Sequence, residues 1–238
     1  MTAGQLVKRG YTTAEMDSLE FLELETGASP SATVIWLHGL GADGHDFEPI
    51  VPELRLPASL PIRFIFPHAP VRPVTINNGM RMRAWYDILQ FGGGKEDEDG
   101  IRASQKSVEA MIEAERKKGI SAGRIVLAGF SQGGAIVLQA ALRHAERLAG
   151  VLALSTYLPL ATTLKAELSE ANRATPIFMA HGAYDDIIPL RRAEQSMELL
   201  KQAGCDVEWH TYPMPHSVCA EEIADLGEFL IKLLLPSP

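Results

Sequence analysis

Arg124-Ile125-Val126-Leu127-Ala128-Gly129-Phe130-Ser131-Gln132-Gly133-Gly134 is a β-branched apolar run that breaks at glycine and resumes as an apolar helical pattern. It predicts a strand turning sharply into a helix, with a Gly-x-Ser-x-Gly pentapeptide at the corner. A serine on such a corner is held in a strained backbone conformation. Glycine is therefore wanted two residues before and after it, where a Cβ would press on the neighbouring strand and helix. The turn lifts the Ser131 hydroxyl clear of the sheet edge and sets a helix N-terminus beneath it. There, backbone N–H groups and the helix dipole favour negative charge developing on a bound carbonyl oxygen, with the Gln132 amide as the first expected donor. Glycine, serine and glycine also reach this spacing by chance, so the flanking strand and helix carry the inference.

Similar short runs recur on both sides of this turn. Residues 19–24 alternate apolar and acidic side chains, as a half-exposed edge strand would, and Gly27-Ala28-Ser29-Pro30 ends them. Denser runs at 33–37, 62–66, 124–128, 150–155, 176–180 and 207–212 read as buried strands. Between them, 104–118, 132–147, 190–203 and 221–234 carry helical periodicity, two of them stopped by Gly119 and Gly204. The alternation predicts an α/β architecture, a mostly parallel central sheet with helices on both faces. Residues 32–238 read as one domain, and 1–31 as an N-terminal extension with an edge strand. Residues 8–17 show no strong pattern. The proline-rich stretch 67–78 and the glycine- and acid-rich stretch 91–100 are expected to be loops over the active-site face. On its own the KEDEDG run at 95–100 reads as a solvated loop.

A chain of 238 residues with 46% hydrophobic content can bury one sizeable core. Its 30 acids outnumber its 22 lysines and arginines for a net charge of −8, and the basic residues are scattered. No nucleic acid and no stable membrane association are therefore expected. Lys8 and Arg9 have no apolar run behind them, and the apolar run 229–235 is broken by Lys232. Cys205 and Cys219 are too few for a disulfide-stapled domain and fit free thiols in a reducing cytoplasm. The seven histidines form no metal-ligand motif with them, so neither a metal nor a cofactor is expected. Composition leaves the oligomeric state open, a homodimer included.

A serine hydroxyl is a weak nucleophile until a base takes its proton and an acid orients that base. In the α/β-hydrolase fold the chain order is serine, acid, histidine. The stretch His181-Gly182-Ala183-Tyr184-Asp185-Asp186 follows the predicted strand 176–180 and offers two adjacent carboxylates, either of which could serve on charge alone. His216 lies in the loop after strand 207–212 and is the expected base. His210 falls inside that strand, and His144 reads as a surface residue in mid-helix. His38-Gly39-Leu40-Gly41 follows strand 33–37, where this fold carries its second oxyanion donor, making Leu40 N–H the candidate. His38 itself is expected to orient that loop. Trp85 and Tyr86, between the two irregular stretches, and Tyr157 are candidates to line an acyl pocket, although aromatics so placed are more often packing. Cys219 lacks a second base and acid to activate it and reads as a structural thiol.

The ordered strings VIWLHGLGADGHDF (34–47), PHAPVRPVTINNG (67–79), AWYDI (84–88), EDEDGI (96–101), GFSQGGA (129–135), LALSTYLPL (152–160), HGAYDDIIP (181–189) and PMPH (213–216) resemble the acyl-protein thioesterase and bacterial carboxylesterase family, small lidless α/β hydrolases. The resemblance runs from about Val34 to the C-terminus. It implies a cofactor-free serine esterase acting on short- to medium-chain carboxylic esters through an acyl-enzyme, with acyl thioesters and acylated proteins among the substrates of some members. It also implies Ser131, Asp185 and His216 as the triad, and Leu40 and Gln132 as the oxyanion donors. Pro215 stands where the family carries glycine, so the His216 loop is expected to be set differently. Two other functions fit the same residues: transfer of the acyl group to an acceptor other than water, and, from another class, a non-catalytic ligand-binding protein on a hydrolase scaffold.

Overall fold

The computed structural model describes residues 19–90 and 94–235, together with the backbone of a short strand at Leu6–Val7. The rest of the N-terminal extension, including residues 8–17, and residues 91–93 of the glycine-rich stretch lie outside the described residues. In chain order the strands and helices are β1 (Leu6–Val7), β2 (Phe21–Glu25), β3 (Ala32–Leu37), β4 (Ile62–Pro67), β5 (Val71–Val74), β6 (Met80–Arg83), α1 (Glu98–Lys117), β7 (Ile125–Phe130), α2 (Gln132–Ala141), β8 (Gly150–Leu154), α3 (Leu164–Glu167), β9 (Ile177–Gly182), α4 (Leu190–Gln202), β10 (Val207–Tyr212) and α5 (Ala220–Leu234). Eight strands form one sheet in the order β1-β2-β4-β3-β7-β8-β9-β10, antiparallel at β1, β2 and β4 and parallel from β4 to β10. No helix among the described residues is long and apolar enough to cross a membrane.

Because successive side chains of a strand point to opposite faces, each apolar strand feeds two cores. Ile35, Leu127, Ala153 and Met179 pack on one face with Ile101 and Val108 of α1, α2, and Leu200 of α4. Val34, Val126, Leu152 and Phe178 pack on the other with Leu226, Phe229 and Leu230 of α5 and with Leu54. The alternating run 19–24 is β2, paired antiparallel to β4; it is not the edge strand expected, because β1 pairs antiparallel along its other side.

Three further expectations change. α1 begins at Glu98, not 104, because Asp97 accepts the Gly100 amide as an N-cap and Glu98 and Asp99 fill the first turn, where the dipole favours acids. The acidic run is thus a helix start. α2 ends at Ala141, not 147: the buried Asn172 donates to the carbonyls of His144 and Glu146 and accepts the Leu148 amide, fixing a turn in place of further helix. His144 accordingly sits half-buried in that turn, outside the helix. The stretch 67–78 is also not all loop, since β5 pairs with β6 as a hairpin closed by left-handed Asn78 and Gly79.

Candidate active site

The site lies at the carboxyl ends of the parallel strands, where β3, β7 and β9 release their chains into loops. Ser131 occupies the β7–α2 corner at φ 54°, ψ −119°, a left-handed conformation rare for a residue with a side chain. Its amide donates to Leu154 O at 2.8 Å, and its carbonyl accepts Thr156 Oγ1 at 2.7 Å and the Ala135 amide at 3.1 Å, so the strain is held from three sides. The pentapeptide glycines serve close approach. A Cβ on Gly129 would meet the backbone of Gly133, and one on Gly133 would collide with the Leu37 carbonyl.

Ser131 Oγ lies 2.9 Å from His216 Nε2, and His216 Nδ1 lies 2.7 Å from Asp185 Oδ2. Asp185 is buried, while Asp186 points to solvent. The other oxygen of Asp185 accepts the amides of Ile187 and Ile188 at 2.9 and 2.8 Å, which locks the carboxylate in one orientation. His181, fully buried, donates from Nε2 to Ile188 O at 2.8 Å and stands 3.2 Å from Asp185 Oδ2. Burial holds its ring below the ordinary histidine range, so it contributes a neutral donor behind the acid. In the loop carrying Pro215, Met214 is buried and its carbonyl accepts the Tyr184 amide, and His216 lies over Phe130 with ring centroids 4.8 Å apart.

The amide of Gln132 opens α2 and has no intrahelical acceptor, and the Leu40 amide makes no hydrogen bond among the described residues. Both residues border the cavity that holds Ser131 and His216. Between them runs a polar scaffold that sequence reasoning missed. Gln132 Oε1 accepts the Trp85 amide and Nε2 donates to Tyr86 O, each at 2.8 Å. Trp85 Nε1 donates to His38 O at 2.9 Å. His38 donates from Nδ1 to Gly39 O at 2.7 Å and accepts the Ala69 amide on Nε2 at 3.0 Å, one donor and one acceptor, as only the neutral ring allows. Burial lowers its pKa to about 4. His38 therefore braces the oxyanion loop without titrating near neutrality.

Trp85 consequently needs correcting as a pocket residue. It is wholly buried beneath the loop and does not border the cavity; Tyr86 and Tyr157 do. Their hydroxyls share a hydrogen bond of 2.8 Å, and burial raises the pKa of both, well above 10 for Tyr86. The cavity measures about 460 Å³ and is walled by Leu40, Ile76, Ile88, Phe130 and Ile188 beside the two tyrosines. Cys219 stands at the N-terminus of α5, where burial raises its thiol pKa, and Cys205 is buried in the core.

The phospholipase/carboxylesterase family model matches residues 23–234. Acyl-protein thioesterase 1 of Gibberella zeae is 45% identical over 216 residues, 87% of this chain and 92% of that one. The crystal structure of Arabidopsis thaliana SOBER1 superposes with a TM-score of 0.81 at 31% identity, over 86% of this chain and 99% of that one. Acyl-protein thioesterase 2 of Zea mays gives a TM-score of 0.81 at 26% identity, over 90% and 99%.

Proposed function

The chain belongs to the phospholipase/carboxylesterase family of α/β hydrolases and is a serine hydrolase of ester or thioester bonds; from that premise we propose that Ser131, His216 and Asp185 carry the reaction and that Leu40 and Gln132 hold the oxyanion. This assignment rests on the hydrogen-bonded line from Ser131 through His216 to Asp185, at 2.9 and 2.7 Å. Asp185 keeps the proton of the neutral ring on Nδ1, which leaves Nε2 free to accept the serine proton. Ser131 Oγ attacks the acyl carbonyl as His216 takes that proton. The carbonyl oxygen, now negative, lies against the amides of Leu40 and Gln132. His216 returns the proton to the departing alcohol or thiol, leaving an acyl ester on Ser131. A water deprotonated by His216 then releases the carboxylic acid and restores the serine.

Substrates on this reading are short- to medium-chain carboxylic esters and acyl thioesters, acylated proteins among them. Two observations support it: a mostly apolar cavity in the roughly 300–1,000 Å³ range of small-molecule sites, and relatives that carry the name acyl-protein thioesterase. No metal or cofactor enters any step. The test is Ser131→Ala, assayed on p-nitrophenyl butyrate, on a palmitoyl-cysteine thioester and with a fluorophosphonate probe. Turnover should fall to the residual level that oxyanion donors and binding alone supply, roughly 10³–10⁴ over water, and labelling should vanish. Near-normal hydrolysis by folded Ser131→Ala would end the mechanism, and an unlabelled wild type would favour the binding-protein alternative.

A further inference from the structure

Two cations border the catalytic cavity and are left unused by the mechanism, the exposed Lys95 and the half-buried Arg192. Gln132 donates to Tyr86 O, the Tyr86 hydroxyl meets the Tyr157 hydroxyl, and the guanidinium of Arg192 lies 3.5 Å over the centre of the Tyr157 ring. Two aromatic side chains thus lead from the nucleophile turn to a half-buried arginine that borders the same cavity. Of the other half-buried arginines, Arg63, Arg102 and Arg143 hold a glutamate at 2.9, 2.7 and 2.6 Å, whereas Arg83 and Arg124 donate to the backbone carbonyls of Ala69 and Leu234. Arg192 has no carboxylate at ion-pair distance among the described residues. Asp46, Asp87 and Glu96 border the cavity too; Asp87 accepts from the amide and hydroxyl of Thr75, and Glu96 accepts the Leu160 amide on Oε2, its Oε1 having no hydrogen-bond partner among the described residues. The position is not one that local structure favours, because the first turn of α4 carries Arg191 and Arg192 and no acid, against the helix dipole.

We propose that Arg192 is a specificity residue forming an anion subsite, and that the esters or thioesters cleaved at Ser131 carry a carboxylate or phosphate group separated from the scissile carbonyl by an apolar spacer. This rests on the esterase reading above. Stacking on Tyr157 fixes the face of the guanidinium and leaves its N–H edge for two parallel hydrogen bonds to a planar anion. Ile76, Ile88 and Ile188 suit the methylenes between the two ends.

The test uses two matched pairs of substrates on the purified protein. p-Nitrophenyl hydrogen adipate against p-nitrophenyl methyl adipate places the charge on the acyl side. 4-Carboxyphenyl butyrate against 4-(methoxycarbonyl)phenyl butyrate places it on the leaving group. For one pair, the ratio of kcat/KM for the charged over the neutral member should fall roughly ten- to hundredfold in Arg192→Met, mainly through KM. Arg192→Lys should recover part of it, and in wild type the same ratio should shrink as salt rises. If both ratios are equal in wild type and Arg192→Met and indifferent to salt, the subsite does not exist. Failure of wild type to hydrolyse any of the four esters would instead strike the esterase reading.

Discussion

Replacing Asp185 by asparagine changes one atom and should cost on the order of 10⁴ in kcat, for a reason visible in what surrounds the carboxylate. Three N–H groups donate to it, the amides of Ile187 and Ile188 to Oδ1 and His216 Nδ1 to Oδ2, and His181 Nε2, which donates to Ile188 O, stands 3.2 Å from that second oxygen. An asparagine can accept on one side only. Turning its NH₂ toward the backbone would leave two amides unpaired, at about 1–3 kcal/mol each where they are buried. Turning it toward His216 instead presents a donor to Nδ1–H, and the ring relieves this by moving its proton to Nε2. That second arrangement is the cheaper, and in it His216 faces Ser131 as a donor unable to take the hydroxyl proton. A 10⁴-fold loss corresponds to about 5.4 kcal/mol of barrier. Asp186→Asn, on the exposed neighbour, should stay within about tenfold, or 1.4 kcal/mol. Saturating p-nitrophenyl butyrate kinetics on both variants, with thermal unfolding as the check on folding, decides the matter. Should folded Asp185→Asn keep more than a tenth of wild-type kcat, or Asp186→Asn prove the slower, the orienting role of Asp185 is wrong.

Two buried groups should impose opposite pH dependences on stability. His38 titrates near 4 in the folded protein against an ordinary 6.5, so the unfolded chain binds the extra proton; its contribution is complete above pH 6.5 and is lost as pH falls toward 4, up to about 3 kcal/mol. Denaturant titrations should show the gap between wild type and His38→Gln narrowing over that interval, and a constant gap would contradict the neutral buried ring. Glu222 of α5 is fully buried with no hydrogen-bond partner on either oxygen among the described residues, and burial raises its pKa from 4.5 to about 8. Here the folded protein holds the proton, so the stability present below pH 4.5 is lost as pH rises to 8; Glu222→Gln should gain on wild type by a few kcal/mol across that range, and parallel curves would refute it.

What the sequence made legible follows from where the physical signal is local. Strands β3, β7, β8 and β9 are dense apolar runs because both their faces are covered, and the Ser131 corner needs its glycines because backbone from β3 and α2 presses on it. Both constraints leave a local mark, an unbroken apolar run and a pair of glycines, that is read without knowing the partner. Helix ends proved harder. The start of α1 was marked by an aspartate followed by acids, a local cap signal masked by the neighbouring glycines, whereas the end of α2 is decided by Asn172, some thirty residues away, which no periodicity near 141 could disclose. β5 and β6 carry a proline and a run of alternating arginines that a propensity reading assigns to loop; their pairing with each other overrides it.

Trp85 shows the same limit inside the site. Its position between two irregular stretches was visible, but whether an indole points into a cavity or beneath a loop depends on where its N–H finds an acceptor, and that acceptor is the carbonyl of His38. Once the bond is known, several isolated residues join. Gln132 supplies one oxyanion amide from its backbone while its side chain grips the backbone of Trp85 and Tyr86, and Trp85 grips His38 at the head of the loop that presents Leu40. The two proposed oxyanion donors, carried by segments more than ninety residues apart, are thereby spaced by one continuous set of hydrogen bonds. A hole of this kind stabilises charge only if its dipoles are already in place when the charge develops. Neutral His38 is the piece that makes this possible near pH 7. A protonated ring would have to give up the Ala69 amide it accepts, releasing the loop at the point where the Leu40 amide must stay still.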